Sequence, residues 1–242
     1  MSFNIFRKLA AKQVPQVSKQ IVIARHREPV YKWLLLVPSD VNKKLYLKHG
    51  DGSDLIPNVL DYVDETEVLK NVGREGHTYL HHIISNYPNF ADITAFVQGD
   101  PTYHGHRLAL PAYFKLDTPG EKSSFSLSSK RRSYNLTFLF ETPEDFYKEV
   151  SGSYKTVEVP VYSFQDWWEK YLTPYGIDFP DSKTFQFSCG ACFSVRKEYI
   201  LKYPIEFYVD LQKSVSTFDP FEGHYLERAW PYIFYDKANY KR

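Results

Sequence analysis

Asn71–Asp100 reads NVGREGHTYLHHIISNYPNFADITAFVQGD, and this stretch decides the fold. A glycine turn, Asn71-Val72-Gly73-Arg74-Glu75-Gly76, leads into Tyr79, Leu80, Ile83, Ile84 and Tyr87, which recur at helical spacing. Pro88 closes that helix, expected over Arg74–Tyr87. Ile93–Val97 then runs apolar without a break, as a strand covered on both faces does. Gln98-Gly99-Asp100 ends it in turn chemistry. Turn, helix and buried strand in this order belong to a parallel sheet, whose ligands sit at the carboxyl ends of the strands.

Upstream, Gln20–Arg25 (QIVIAR) is an apolar strand, Glu28–Val37 a helix and Lys44–His49 (KLYLKH) a second strand. A third strand is expected at Val59–Val63 or Val68–Leu69. Strands alternating with helices predict an α/β fold with a Rossmann-like, mostly parallel sheet flanked by helices. Downstream, Thr118–Asn135 is rich in Ser, Lys, Gly and Pro and reads as a mobile loop. Phe164–Leu172 reads as a helix with two tryptophans, and Lys183–Val195 as one or two strands. Helices follow at Arg196–Tyr203 and Ile205–Ser216, and a last one runs from near Phe221 towards Phe234, with Pro231 a kink. No repeat or long linker divides the 242 residues. One domain is expected: a tail at 1–19, a nucleotide-binding half over about 20–110 and an acceptor half over about 111–242.

A formal net charge of +1 gives no electrostatic case for nucleic acid or an anionic membrane. The short run Lys130-Arg131-Arg132 reads as a solvated loop. No window supplies the roughly 20 apolar residues of a membrane span. The first 20 residues lack the apolar core of a secretory signal, so a cytoplasmic location is expected. Aromatic residues make up 17% of the chain, enough for a core and for an amphipathic cleft.

Several residues carry candidate chemistry. The amides at the helix start favour an anion, and Arg74 can hold a diphosphate beside Asn71; the plain alternative is a glycine loop with an N-cap. Arg25 ends the first strand on the same edge, as a nucleotide contact or as an ion pair with Glu28 or Glu75. Asp100 stands where an Asp-x-Asp would hold Mn2+ or Mg2+ against a leaving diphosphate, yet Gln98 replaces the first acid. His77 and His81 share a helix face compatible with zinc, without the His-Glu-x-x-His pattern of a hydrolase. Cys189-Gly190-Ala191-Cys192 has redox spacing but sits between strands rather than before a helix. In Glu222–Trp230, Glu227 or Glu222 is suited to deprotonate a sugar hydroxyl, and the alternative is a structural pair with arginine. His104, Trp168 and Tyr225 are candidate sugar contacts.

IVIARHRE at Ile21–Glu28, NVGREGHTYLHHII at Asn71–Ile84, FVQG at Phe96–Gly99, GACFSV at Gly190–Val195 and LERAW at Leu226–Trp230 together resemble an uncharacterised-domain family of fungi and large viruses. That family is distantly similar to GT-A glycosyltransferases, and the likeness spans nearly the whole chain. The resemblance implies transfer from a UDP-sugar to a glycan or glycoprotein acceptor, with a base near Glu222–Glu227. It also suggests the enzymes with which large viruses of green algae decorate capsid protein in the host cytoplasm, and hence UDP-xylose and a fucose acceptor. A carbohydrate-binding module with a decayed site and a histidine-metal hydrolase are the rival expectations.

Overall fold

β1 (Lys19–Arg25) lies at the centre of a two-sided core. The computed structural model describes residues 17–101, 125–127, 131–135, 157–179, 184–188 and 191–234. Side chains alternate along a strand, so β1 feeds both faces of its sheet. Ile21 and Ile23 join Trp33, Leu34, Leu45, Leu47, Ile93, Ala95 and Val97 on one face, beneath α1 (Tyr31–Leu34). Val22 and Ala24 join Tyr46, Tyr79, Leu80, Ile83 and Phe96 on the other, beneath α2 (Arg74–Asn86).

β1 pairs in parallel with β2 (Val41–Leu47) and with β4 (Ile93–Gln98), and β3 (Glu65–Val68) extends the sheet beyond β2, also in parallel. β5 (Phe125–Leu127) and β8 (Phe193–Arg196) complete it. β8 is antiparallel to both β4 and β5, and the order is β3-β2-β1-β4-β8-β5. β6 (Arg131–Asn135) and β7 (Thr184–Ser188) form a separate antiparallel pair. The molecule is a mixed α/β fold with a mostly parallel sheet.

α3 (Phe164–Tyr171) is capped by Ser163, whose hydroxyl oxygen accepts from the Asp166 amide at 3.1 Å. α4 (Lys197–Ile200), α5 (Ile205–Ser214) and α6 (Glu222–Ile233) follow. Gly76 lets α2 approach α6, since a Cβ there would lie 2.9 Å from Leu226 Cδ2. Among the described residues no helix is long and apolar enough to cross a membrane.

Two expectations change. The helix expected over Glu28–Val37 is α-helical only at Tyr31–Leu34. Around it the bonds close over three residues, as from Leu36 N to Trp33 O and Val37 N to Leu34 O. That tighter winding aligns residues three apart, and the pairs Val30/Trp33 and Leu34/Val37 are all buried. The loop expected over Thr118–Asn135 contains β5 and β6, with Arg131 and Arg132 in β6. Their partners lie far downstream, Val195 for Phe125 and Ser188 for Arg131, so local composition carries no sign of the pairing.

Candidate functional site

From β1 the chain steps outward to β2 and β3, then returns through α2 to place β4 on the other side of β1. The order reverses there, so the crevice between the carboxyl ends of β1 and β4 is the topological switch point. Glu28 organises the β1 side. Its Oε2 accepts from the amides of His26 at 2.7 Å and Arg27 at 3.1 Å. The same oxygen lies over Gly99, where a Cβ would come within 2.5 Å of it. Trp33 Nε1 donates to the Gly99 carbonyl at 2.9 Å. The turn carrying Asp100 is therefore locked to the loop after β1 by a carboxylate and an indole, and glycine is required by the close approach.

Arg25 faces inward. It is 2% exposed, and its fork closes on Asp54 at 3.2 and 2.7 Å while Nε donates to the Glu28 carbonyl at 2.9 Å. The partner is Asp54, not the Glu28 or Glu75 carboxylate considered from sequence. Arg25 thus ties the β1 end to the loop after β2.

α2 starts on two left-handed residues, Gly73 at φ 61° and Arg74 at φ 52°. No side chain caps this end of the helix. The Gly73 amide donates to Thr217 O at 2.8 Å, and a Cβ on Gly73 would meet Val215 O at 1.8 Å. The Arg74 guanidinium reaches from α2 to the start of α6. Its Nε lies 3.3 Å from Asp219 Oδ1 and one terminal nitrogen 2.8 Å from His224 Nε2. Arginine can only donate, so His224 Nε2 accepts and the ring proton is on Nδ1. Burial, then the charges of Arg74 and Arg228, hold His224 neutral with its pKa down to about 3. Nδ1 faces Glu227 Oε2 at 4.0 Å. With His224 neutral, that contact is no ion pair, and the cation beside Glu227 is Arg228, 3.7 Å away.

The two candidate bases differ. Glu222 is 5% exposed, accepts from the Val161 amide at 2.8 Å, and has its carboxyl pushed up by burial. It fastens the segment before α3 to α6. Glu227 is half-buried. Glu227 and Glu75 both act electrostatically on the Cys192 thiol, which sits beside the Gln98 backbone. Through Arg74 the first turn of α2 meets the start of α6, one side chain away from Glu227.

Among the residues singled out from sequence, Asn71 and Arg74 lie on the turn into α2, Asp100 on the turn after β4 and Glu227 on α6. Trp168 is fully buried with its indole donating to Ile177 O at 2.8 Å, and Tyr225 is 1% exposed with its hydroxyl donating to Tyr162 O at 2.9 Å. Both pack in the aromatic core with Phe164, which leaves them no face for a sugar. His104 and Cys189 lie outside the described residues. Cys192 is buried in the core beneath α1, and burial pushes its thiol up to about 12, the reverse of a redox cysteine. Among the described residues no group of three His, Cys, Asp or Glu side chains could hold a metal. His81 pairs with Glu67 and His82 meets the Tyr46 hydroxyl. Among the described residues there is no protein-built Mn2+ or Mg2+ cage around Asp100. Sequence reasoning missed Asp54 and Asp219, whose partners are distant in the chain. It noted Glu28 and His224 only as neighbours of other residues.

Residues 21–127 match the model of a family described as a protein of unknown function, DUF3431. The match runs from within β1 through β5, so it includes the switch-point loops and the turn into α2. It is shorter than the likeness read from sequence, which extended to Gly190–Val195 and Leu226–Trp230. No curated protein and no solved structure matches the chain.

Proposed function

We propose that this protein is a glycosyltransferase with a GT-A-like arrangement, moving a sugar from a UDP-sugar to a glycan hydroxyl. One observation carries the reading: Arg74 at the start of α2 reaches His224, whose ring faces the half-buried carboxylate of Glu227, in an α/β fold with a mostly parallel sheet. The first-turn amides of α2, Arg74 and Asn71 take the diphosphate, where helix dipole and guanidinium add. Asp100 contacts the ribose or the donor sugar. Glu227 is preferred over Glu222 as the base, because Glu222 is committed to the Val161 amide. It takes the proton of the acceptor hydroxyl as that oxygen bonds to the anomeric carbon. The bond to the diphosphate breaks, and its electron pair leaves with UDP. By resemblance the donor is UDP-xylose, the acceptor a fucose and the setting the host cytoplasm of a virus. Arg25, buried and closed on Asp54, is taken out of the ligand contacts and given a structural role.

The test is a thermal-midpoint titration with UDP and a panel of UDP-sugars, with and without Mn2+. A ligand that binds only the folded state stabilises it by about 2.7 kcal/mol at a hundred times its dissociation constant. A rise with one UDP-sugar supports the reading, and no rise with any of them removes it. Glu227→Gln should lower kcat by about 10²–10⁴ with UDP affinity unchanged. The single acid at Asp100 favours a second reading, a carbohydrate-binding module with a decayed site. Glycan binding without UDP affinity or donor hydrolysis would select it.

A further inference from the structure

Lys48 is a buried cation with no part in the chemistry above. It follows β2, is 6% exposed, and continues the ladder by donating its amide to Arg25 O at 2.8 Å. Among the described residues no carboxylate lies within ion-pair distance of it. Lysine is almost never buried in that state, because the ammonium loses its hydration without an opposite charge in return. The ammonium instead grips two backbone carbonyls, Val72 O at 2.5 Å and Arg74 O. Burial lowers its pKa to about 8, against the partly compensating charge of Glu75.

Both carbonyls belong to the left-handed turn at Gly73 and Arg74. For Arg74 this backbone is strained, since a Cβ crowds the carbonyl at positive φ. Such strain persists only where the surroundings over-determine it. Three contacts do so: the Gly73 amide on Thr217 O, the Arg74 side chain on Asp219 and His224, and Lys48 on the carbonyls. A peptide unit is planar and trans, so the Glu75 N–H points opposite to the Arg74 carbonyl. Whatever grips that carbonyl also aims that amide.

We propose that Lys48 is a positioning residue that holds the Val72–Arg74 turn in its left-handed form and so aims the first amides of α2 and the Arg74 side chain at an anionic ligand. The latch is a statement about the turn. That its ligand is a diphosphate rests on the transferase reading.

Hydrogen exchange of the bonded amides of Gly73 and His77 in the full chain tests the latch without any ligand. In Lys48→Met exchange there should quicken at least about tenfold while β1 and β4 keep their protection, as local opening does; Lys48→Arg, which keeps donors, should restore most of it. Unchanged exchange of these two amides in Lys48→Met overturns the proposal. UDP titration of Lys48→Met, Arg74→Ala and the double variant then tests the aim. Each single change should weaken binding about tenfold, and the double should lose far less than the product, because one change misplaces what the other removes. Multiplicative losses overturn the aiming role. A wild-type protein with no UDP affinity removes the transferase reading, and the exchange result still decides the latch. If Lys48→Met does not fold, Lys48→Met with Arg74→Gly should, since glycine needs no grip to sit at positive φ. Failure of that pair to fold overturns the proposal as well.

Discussion

Gly50 and Gly73 have nearly the same φ, 63° and 61°, and opposite tolerance for a side chain. Nothing lies within 4 Å of a Cβ on Gly50, so Gly50→Ala should cost only the backbone strain of a left-handed alanine, about 1 kcal/mol. On Gly73 the same methyl would meet Val215 O at 1.8 Å. There the strain adds to a collision with backbone, and a loss of about 4 kcal/mol or more is expected, the range reserved for a named structural conflict. Urea midpoints of the two variants check this; equal losses would mean that the turn into α2 moves freely from the 215–217 segment. Residue-scale reading of the sequence found the glycines of Asn71–Gly76 and the arginine between them. It could not tell which glycine was required by space and which by φ alone, because Val215 comes close only in the fold. For the same reason it weighed Glu28 and Glu75 as partners for Arg25, while Asp54 arrives by a loop that local spacing does not place.

At the scale of elements, α2 and β4 were legible almost to the residue, Arg74–Asn86 and Ile93–Gln98, because periodicity, Pro88 and the glycine turn agree. Elements set by distant pairing were not, as β5 and β6 show. The junction of α2 with α6 falls between these cases, since helical spacing announces both helices but not their contact. Gly76 against Leu226 makes that contact close. Gly76→Ala should raise helix propensity in α2 by about 1 kcal/mol and yet destabilise the protein, because the methyl presses on Leu226 Cδ2. Trimming the partner to Val in Gly76→Ala/Leu226→Val should recover at least half of the loss. A double-mutant cycle of unfolding free energies measures this, and additive effects would refute the tight junction.

The whole molecule is sensitive to acid through its interior histidines. Burial holds His77 near 4, and His82 and His224 near 3, against about 6.5 in the unfolded chain. Between those values the unfolded chain binds more protons, so stability is full above about 6.5 and falls as the pH drops towards 4. Each histidine contributes about 1.4 kcal/mol per pH unit there, opposed in part by Glu222, whose carboxyl is raised. Unfolding free energy measured from pH 7 to pH 4 should fall steeply, and His82→Asn should remove about a third of the histidine slope. A flat profile would place these rings in water. The sheet order has a further consequence, for the chain as it is made. β4 ends at Gln98, but the strand that covers its far edge starts at Phe193, and among the described residues β5 pairs only with that same late strand. At roughly 5–20 residues per second a ribosome needs about 5–20 s to cross that interval. Throughout it the nascent protein carries an apolar strand, Ile93–Val97, paired with β1 on one edge only, beside a sheet face still waiting for α6. Growing chains of this protein are therefore most vulnerable to mispairing with one another during this interval, and holding β4's free edge is the task a chaperone would perform for them.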